Sequence, residues 1–198
     1  MGKSLEERVA ELEKKVKDLT GKKQVKFSKK LGVGDTFELL GLEWTIIEIT
    51  GGGYKCLASR LEDGMQFDTS CNNWTNSDLR KYLNEEFYAE LAEAVGEDNI
   101  IPFERNLWSL DGQTEYGTCE DKVSIINLDE YRENRALIPN ADYYWWTLTP
   151  DSTKCNGDTR YIRVVCPGGD FSCNFYDRNI GVRPFCIFSS AIFESEEE

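Results

Sequence analysis

Residues 155–193 contain no Lys, Glu, Gln, Met or Trp. Lys and Glu make up 35 of the 198 residues, so about seven would fall in that window at the chain average. Charge itself has not been excluded, since Asp158, Asp170, Asp177, Arg160, Arg163, Arg178 and Arg183 all lie there. The residues that remain are rich in Val, Ile, Tyr, Phe, Gly, Asn, Asp and Ser, the composition of short strands and tight turns. The end of the chain is therefore expected to be irregular β-structure. A second reading is genetic: none of the five missing types has a codon ending in a pyrimidine, whereas almost every type present has one. On that reading the segment descends from Asn-type codons altered at their adenines. Cys155-Asn156-Gly157-Asp158 and Ser172-Cys173-Asn174-Phe175-Tyr176-Asp177-Arg178 favour it. They mix small, aromatic, acidic, basic and thiol side chains without the period of a helix or a buried strand.

The length allows one domain of ordinary size plus an appendage, and five Trp, nine Tyr and ten Phe supply large apolar groups for its core. No run approaches the roughly 18 apolar residues of a membrane span, and the first residues read as a charged helix, not a signal peptide. Membrane insertion is not expected, and delivery to a cell or virion surface would need another route. Seven cysteines without zinc-knuckle spacing, in a chain with no His, argue against a metal site and suit free thiols. Cys56 and Cys186 stand in apolar strand-like runs and are expected in the core. The net charge is −13, and because residues 1–34 carry nine Lys and one Arg against four Glu and one Asp, the rest of the chain is more acidic still. An acidic body repels phosphate backbones, so nucleic acid is not the expected ligand.

Leu5, Val9, Leu12, Val16 and Leu19 recur at spacings of 4, 3, 4 and 3, a heptad seam that predicts a coiled-coil helix over 1–22 and a homo-oligomer of undefined number. An amphipathic helix packed on its own domain is the alternative. Three strands are predicted over 37–40, 43–50 and 54–58, separated by Gly41 and Gly51-Gly52-Gly53. A helix is predicted from Asn76-Ser77-Asp78 to Gly96, with Leu79, Tyr82, Leu83, Phe87, Leu91 and Val95 on one face. A second helix is predicted from Asp129 to near Pro139, after a strand over 123–126. Short strands and loops follow from Tyr143, closing on Phe185-Cys186-Ile187-Phe188, and in the acidic tail 191–198 the run Glu194 to Glu198 is expected to be disordered. Strands and two helices in this order indicate α+β.

Trp145-Trp146-Thr147-Leu148-Thr149-Pro150 and the closing Gly181-Val182-Arg183-Pro184 bracket the irregular segment. With Trp74-Thr75-Asn76-Ser77-Asp78-Leu79-Arg80-Lys81-Tyr82-Leu83-Asn84 and Asp121-Lys122-Val123 upstream, the chain resembles domains related to C-type lectins and formylglycine-generating enzymes. Among them it is most similar to the variable proteins of diversity-generating retroelements. The resemblance covers about 33–190. It implies a C-type lectin-like fold with mixed short antiparallel strands and two helices, preceded by the coiled coil. It also implies a non-catalytic ligand-binding protein whose adenine-mutated residues share one solvent-facing surface. Trp145, Trp146, Leu148, Val182, Phe185, Ile187 and Phe188 are then expected in the core, with Arg183 serving buried carbonyls.

The expected ligand contacts are Ser152, Cys155, Asn156, Asp158, Cys166, Asp170, Ser172, Cys173, Asn174, Phe175, Asp177 and Arg178, with Tyr176 either a contact or a packed scaffold residue. The expected partner is a macromolecule, a protein or a surface glycan, and no cofactor is implied. Two rival functions are weighed. A formylglycine-generating-type oxidase needs two converging thiols, for which Cys166 and Cys173 are the nearby pair. A calcium-dependent lectin could draw oxygens from Asp151, Asp158, Asp170 and Asp177, yet the Glu-Pro-Asn, Gln-Pro-Asp and Trp-Asn-Asp blocks of sugar-binding lectins are absent.

Overall fold

The alternating apolar residues after Gly34 form three antiparallel strands in the computed structural model, which describes residues 25–27, 30–61 and 63–193. The predicted coiled coil over 1–22 and residues 194–198 of the tail lie outside the described residues. β1 (Thr36–Leu39) and β2 (Leu42–Thr50) are joined by Leu40 and Gly41, whose φ values of 54° and 71° are those of a two-residue hairpin turn. β3 (Gly53–Ala58) completes the meander. Downstream come β4 (Ile100–Ile101), β5 (Phe103–Asn106), β6 (Thr118–Asp121), β7 (Val123–Ser124), β8 (Trp145–Pro150), β9 (Tyr161–Val165), β10 (Phe171–Phe175) and β11 (Phe185–Phe188). The main sheet runs β1-β2-β3-β11-β4, with β7 also pairing β11. The last strand of the chain thus sits inside the sheet that the first strands begin. Cys56 faces Cys186 across β3 and β11, and both are fully buried as expected. A second sheet runs β10-β9-β8, and β5 pairs β6. The architecture is mixed α+β, with mostly antiparallel strands.

The helix α1 begins at Asp78, capped by the Ser77 side chain on the Arg80 N–H, and ends at Val95, where Gly96 takes φ 91°. Its middle, Leu83–Phe87, is a π-helical turn between Asp78–Tyr82 and Tyr88–Val95. The apolar spacing gives the reason. Leu79, Leu83, Phe87, Leu91 and Val95 are all four apart and all buried, and each four-residue step overshoots a 3.6-residue turn by about 40°. The wider turn absorbs part of that drift and keeps the five on one face. The second helix, α2 (Leu128–Glu133), is shorter than predicted. Its start is a capping box between Asn127 and Glu130, and the chain leaves it at Asn134 for turns, well before Pro139.

The polar residues of the Trp74–Asn84 block converge on the chain around β6 and β7. Trp74 Nε1 and Arg80 Nε donate to the two oxygens of Asp121, at 2.8 and 2.6 Å, and Asn84 accepts from the Lys122 and Val123 N–H groups. The packed unit is wider than the 33–190 expected from sequence. The Phe27 N–H donates to the Ile192 carbonyl, its ring stacks on Phe193, and Ile192 and Phe193 are both buried. Ile187 departs from the core expectation: it is half-buried, while Trp145, Trp146, Leu148, Val182, Phe185 and Phe188 are buried.

Candidate recognition surface

All six residues of β8 are buried, because apolar clusters cover both of its faces. Trp146 and Leu148 belong to the main core with Ile162 and Val164 of β9. Trp145 belongs to a second cluster with Val165, Tyr131 and Phe185. Both tryptophans are buried, as expected. β10 lies at the free edge of this sheet, and none of its residues is buried. Its register with β9 pairs Phe171 with Val165, Cys173 with Arg163, and Phe175 with Tyr161. These six share the face opposite Ile162 and Val164. Tyr131 and Arg132 of α2 cover the Phe171 end of that face. The Phe175 end is open.

At the open end the Tyr161 and Phe175 rings lie 4.6 Å apart. Arg160 stands over Tyr161 and Arg178 over Phe175, at 5.4 and 6.0 Å. Two aromatic rings flanked by two guanidiniums form the kind of patch on which interface energy concentrates. Arg160 also pairs with Asp158, whose carboxyl is held below its usual range by that contact.

A second group of candidates is held by the 107–117 loop. Asp111 Oδ2 accepts from Ser152 Oγ at 2.7 Å and from Asn156 Nδ2 at 2.6 Å, while Oδ1 accepts from Ser109 Oγ. Hydrogen bonds from Ser109, Ser152 and Asn156 hold the Asp111 carboxyl down at about 2. Glu115 accepts from the Cys155 N–H at 2.8 Å, and a hydrogen bond from the thiol to the same carboxylate pushes the exposed Cys155 thiol up, away from thiolate reactivity. Below them buried Asn72 donates to the Ser152 and Tyr161 carbonyls and accepts from the Tyr116 hydroxyl. Trp108 and Leu110 stand exposed on the same loop.

Cys155, Asn156, Asp170, Phe175, Asp177 and Arg178 are exposed, and Ser152, Asp158, Ser172, Cys173 and Asn174 are half-buried. One expected contact, Cys166, needs correction, and of the two alternatives for Tyr176 the packing favours the scaffold. Cys166 is only 8% exposed, and burial pushes its thiol up, so it presents no contact surface. It directly follows the buried Val164 and Val165 at the end of β9. Tyr176 packs against the main core, and its carbonyl accepts from the Phe67 and Asp68 N–H groups, so it is a scaffold residue. Arg183 behaves as expected, donating from Nε to the buried Ala58 carbonyl at 2.8 Å. Asp111, Glu115, Asn72, Arg160 and Tyr161 were not expected as site residues. The Asp111-Gly112 pair carries a turn signal, but nothing local says that the turn meets residues some 40 positions later.

The chain matches no family model, no curated protein and no solved structure. No helix among the described residues is long and apolar enough to cross a membrane.

Proposed function

We propose that the open edge of the β8–β9–β10 sheet and the adjoining 151–158 and 175–179 segments form a variable recognition surface on a constant frame. The protein is then a receptor- or adhesin-like binder of a protein or surface glycan, without catalytic activity. Its fold is read as C-type lectin-like, and its surface as the product of adenine-directed retroelement mutagenesis. One observation carries the reading: an edge strand with no buried residue lies inside the segment that lacks five residue types, while the Trp145–Pro150 block beside it is buried throughout. Substitution at such positions outside the core usually changes stability by about 0.5 kcal/mol, whereas core truncations cost several, so only the edge can absorb wholesale change. The heptad over 1–22 would multiply weak single contacts through avidity.

The gene tests this. Codons for Asn156, Asp158, Ser172, Asn174, Phe175, Asp177 and Arg178 should match a nearby, near-identical repeat except where that repeat has adenine. A matching repeat with differences scattered over all four bases, or no repeat beside the gene, would remove the proposal.

A further inference from the structure

Among the described residues every arginine but one has a partner for its guanidinium. Arg80, Arg105, Arg132, Arg160, Arg163 and Arg178 face carboxylates, and Arg135 and Arg183 donate to carbonyl oxygens. Arg60 is the exception. Its guanidinium lies 4.5 Å from the centre of the Tyr143 ring, a contact that fixes its plane without consuming an N–H. It lines a cavity of about 530 Å³ with Asp63, Tyr143, Tyr144 and Asn179, over a floor of Gly64, Ile180 and Gly181. The floor is close-packed backbone: a Cβ on Gly181 would stand 2.7 Å from the Tyr143 ring, and one on Gly64 3.1 Å from the Ile180 carbonyl oxygen.

We propose that this cavity is a carboxylate site in which Arg60 takes an acidic side chain of a protein target. A guanidinium stacked on one face keeps its edge N–H groups in the fork that matches a planar carboxylate. Asp63, which also lines the cavity, and the acidic body disfavour a phosphate or sulfate dianion more than a monoanion. The phenols of Tyr143 and Tyr144 and the Asn179 amide are the side-chain types with which protein-binding surfaces anchor and adapt. The cavity adjoins the Asp177–Arg178 end of the proposed surface. The inference thus names the chemistry that one end of that surface takes, but it stands on Arg60 and the cavity alone.

The test is an NMR titration of the full chain, following the Arg60 Nε–H and Asn179 side-chain amide signals. The probes are N-acetyl-glutamate methylamide, glucuronate and inorganic phosphate, each at 20 and 200 mM NaCl. The blocked glutamate should give saturable shifts in the millimolar range, weakened at higher salt. Arg60→Gln should weaken them at least tenfold and Arg60→Lys less, with the melting temperature of each within about 2 °C of wild type because the side chain is exposed. Phe175→Ala should leave the titration unchanged; loss there would move binding to the ring patch and overturn the site. Absence of saturable shifts, or shifts that survive Arg60→Gln, would also overturn it. Tighter glucuronate binding would overturn the protein source, and tighter phosphate binding the choice of a monoanion. None of these results touches the codon test of the variable surface.

Discussion

Arg105 is almost fully buried and gives its two terminal nitrogens to Glu130 at 2.6 and 2.7 Å, while the Phe103 and Phe185 rings lie 5.2 Å from its guanidinium carbon. Burial pushes the Glu130 carboxyl up, but Arg105 and the Asn127 N–H outweigh it and leave the group below its usual range. Breaking such a pair strands the remaining charge, so Arg105→Met is expected to cost about 3 kcal/mol in urea unfolding. A loss below about 1 kcal/mol would contradict the role assigned to the pair. Because the folded carboxyl titrates lower than the unfolded one, the stabilisation is complete above about pH 4.3 and fades as pH falls through the folded value. The gap between wild type and variant should narrow in acid. The Asn127-to-Glu130 spacing is a helix-start signal that sequence can show. Arg105, 25 residues upstream, can be paired with it only in three dimensions.

The three opening strands and α1 were legible as elements because their periods are local and their breaks are glycines. β1, β2 and β3 fall within a residue of expectation, and α1 starts and stops at its predicted caps. The π-turn has a single trace in the sequence, the unbroken spacing of four from Leu79 to Val95. The site was legible only in part. Composition marks a contiguous segment but not the face each residue takes, so Cys166 is expected as a contact and Tyr176 stays open between contact and scaffold, although packing takes both inward. The role of the 107–117 loop is not legible in the sequence because its bonds to Ser152 and Asn156 span more than 40 residues. That loop should behave as a unit clamped by Asp111. Asp111→Ala is expected to speed hydrogen exchange at the Leu110 N–H, which donates to the Pro150 carbonyl, without shifting global unfolding by more than about 2 °C. Wild type should show the same release in acid. The folded carboxyl sits at about 2, so the clamp is complete above about pH 4 and is lost as pH falls through 2. Exchange at Leu110 that ignores both the substitution and the acid would show that other contacts hold the loop.

At the scale of the whole molecule, strand order decides what is free to vary. β11 returns the chain to the middle of the main sheet, and β8 is covered on both faces. β8, which precedes the compositionally odd segment, and β11, which lies near its end, are therefore anchored in the core, while β10 hangs on the edge between them. An edge strand with charged and small polar residues at its end is a tolerable place for change, since its outer backbone groups already face water. The aromatic and basic patch at Tyr161, Phe175, Arg160 and Arg178 and the Arg60 cavity then lie on stretches that flank or occupy that edge, and both depend on a frame that does not move when their side chains change.

The most direct test of that division is a saturation library of the full chain, scored for folding by protease resistance. Asn156, Ser172, Asn174, Phe175, Asp177 and Arg178 should accept most replacements, with stability changes of about 0.5 kcal/mol. Trp145, Trp146, Leu148, Val182, Phe185 and Phe188 should reject most, at about 2–5 kcal/mol each. Equal intolerance in the two sets would contradict a tolerant edge on a rigid frame.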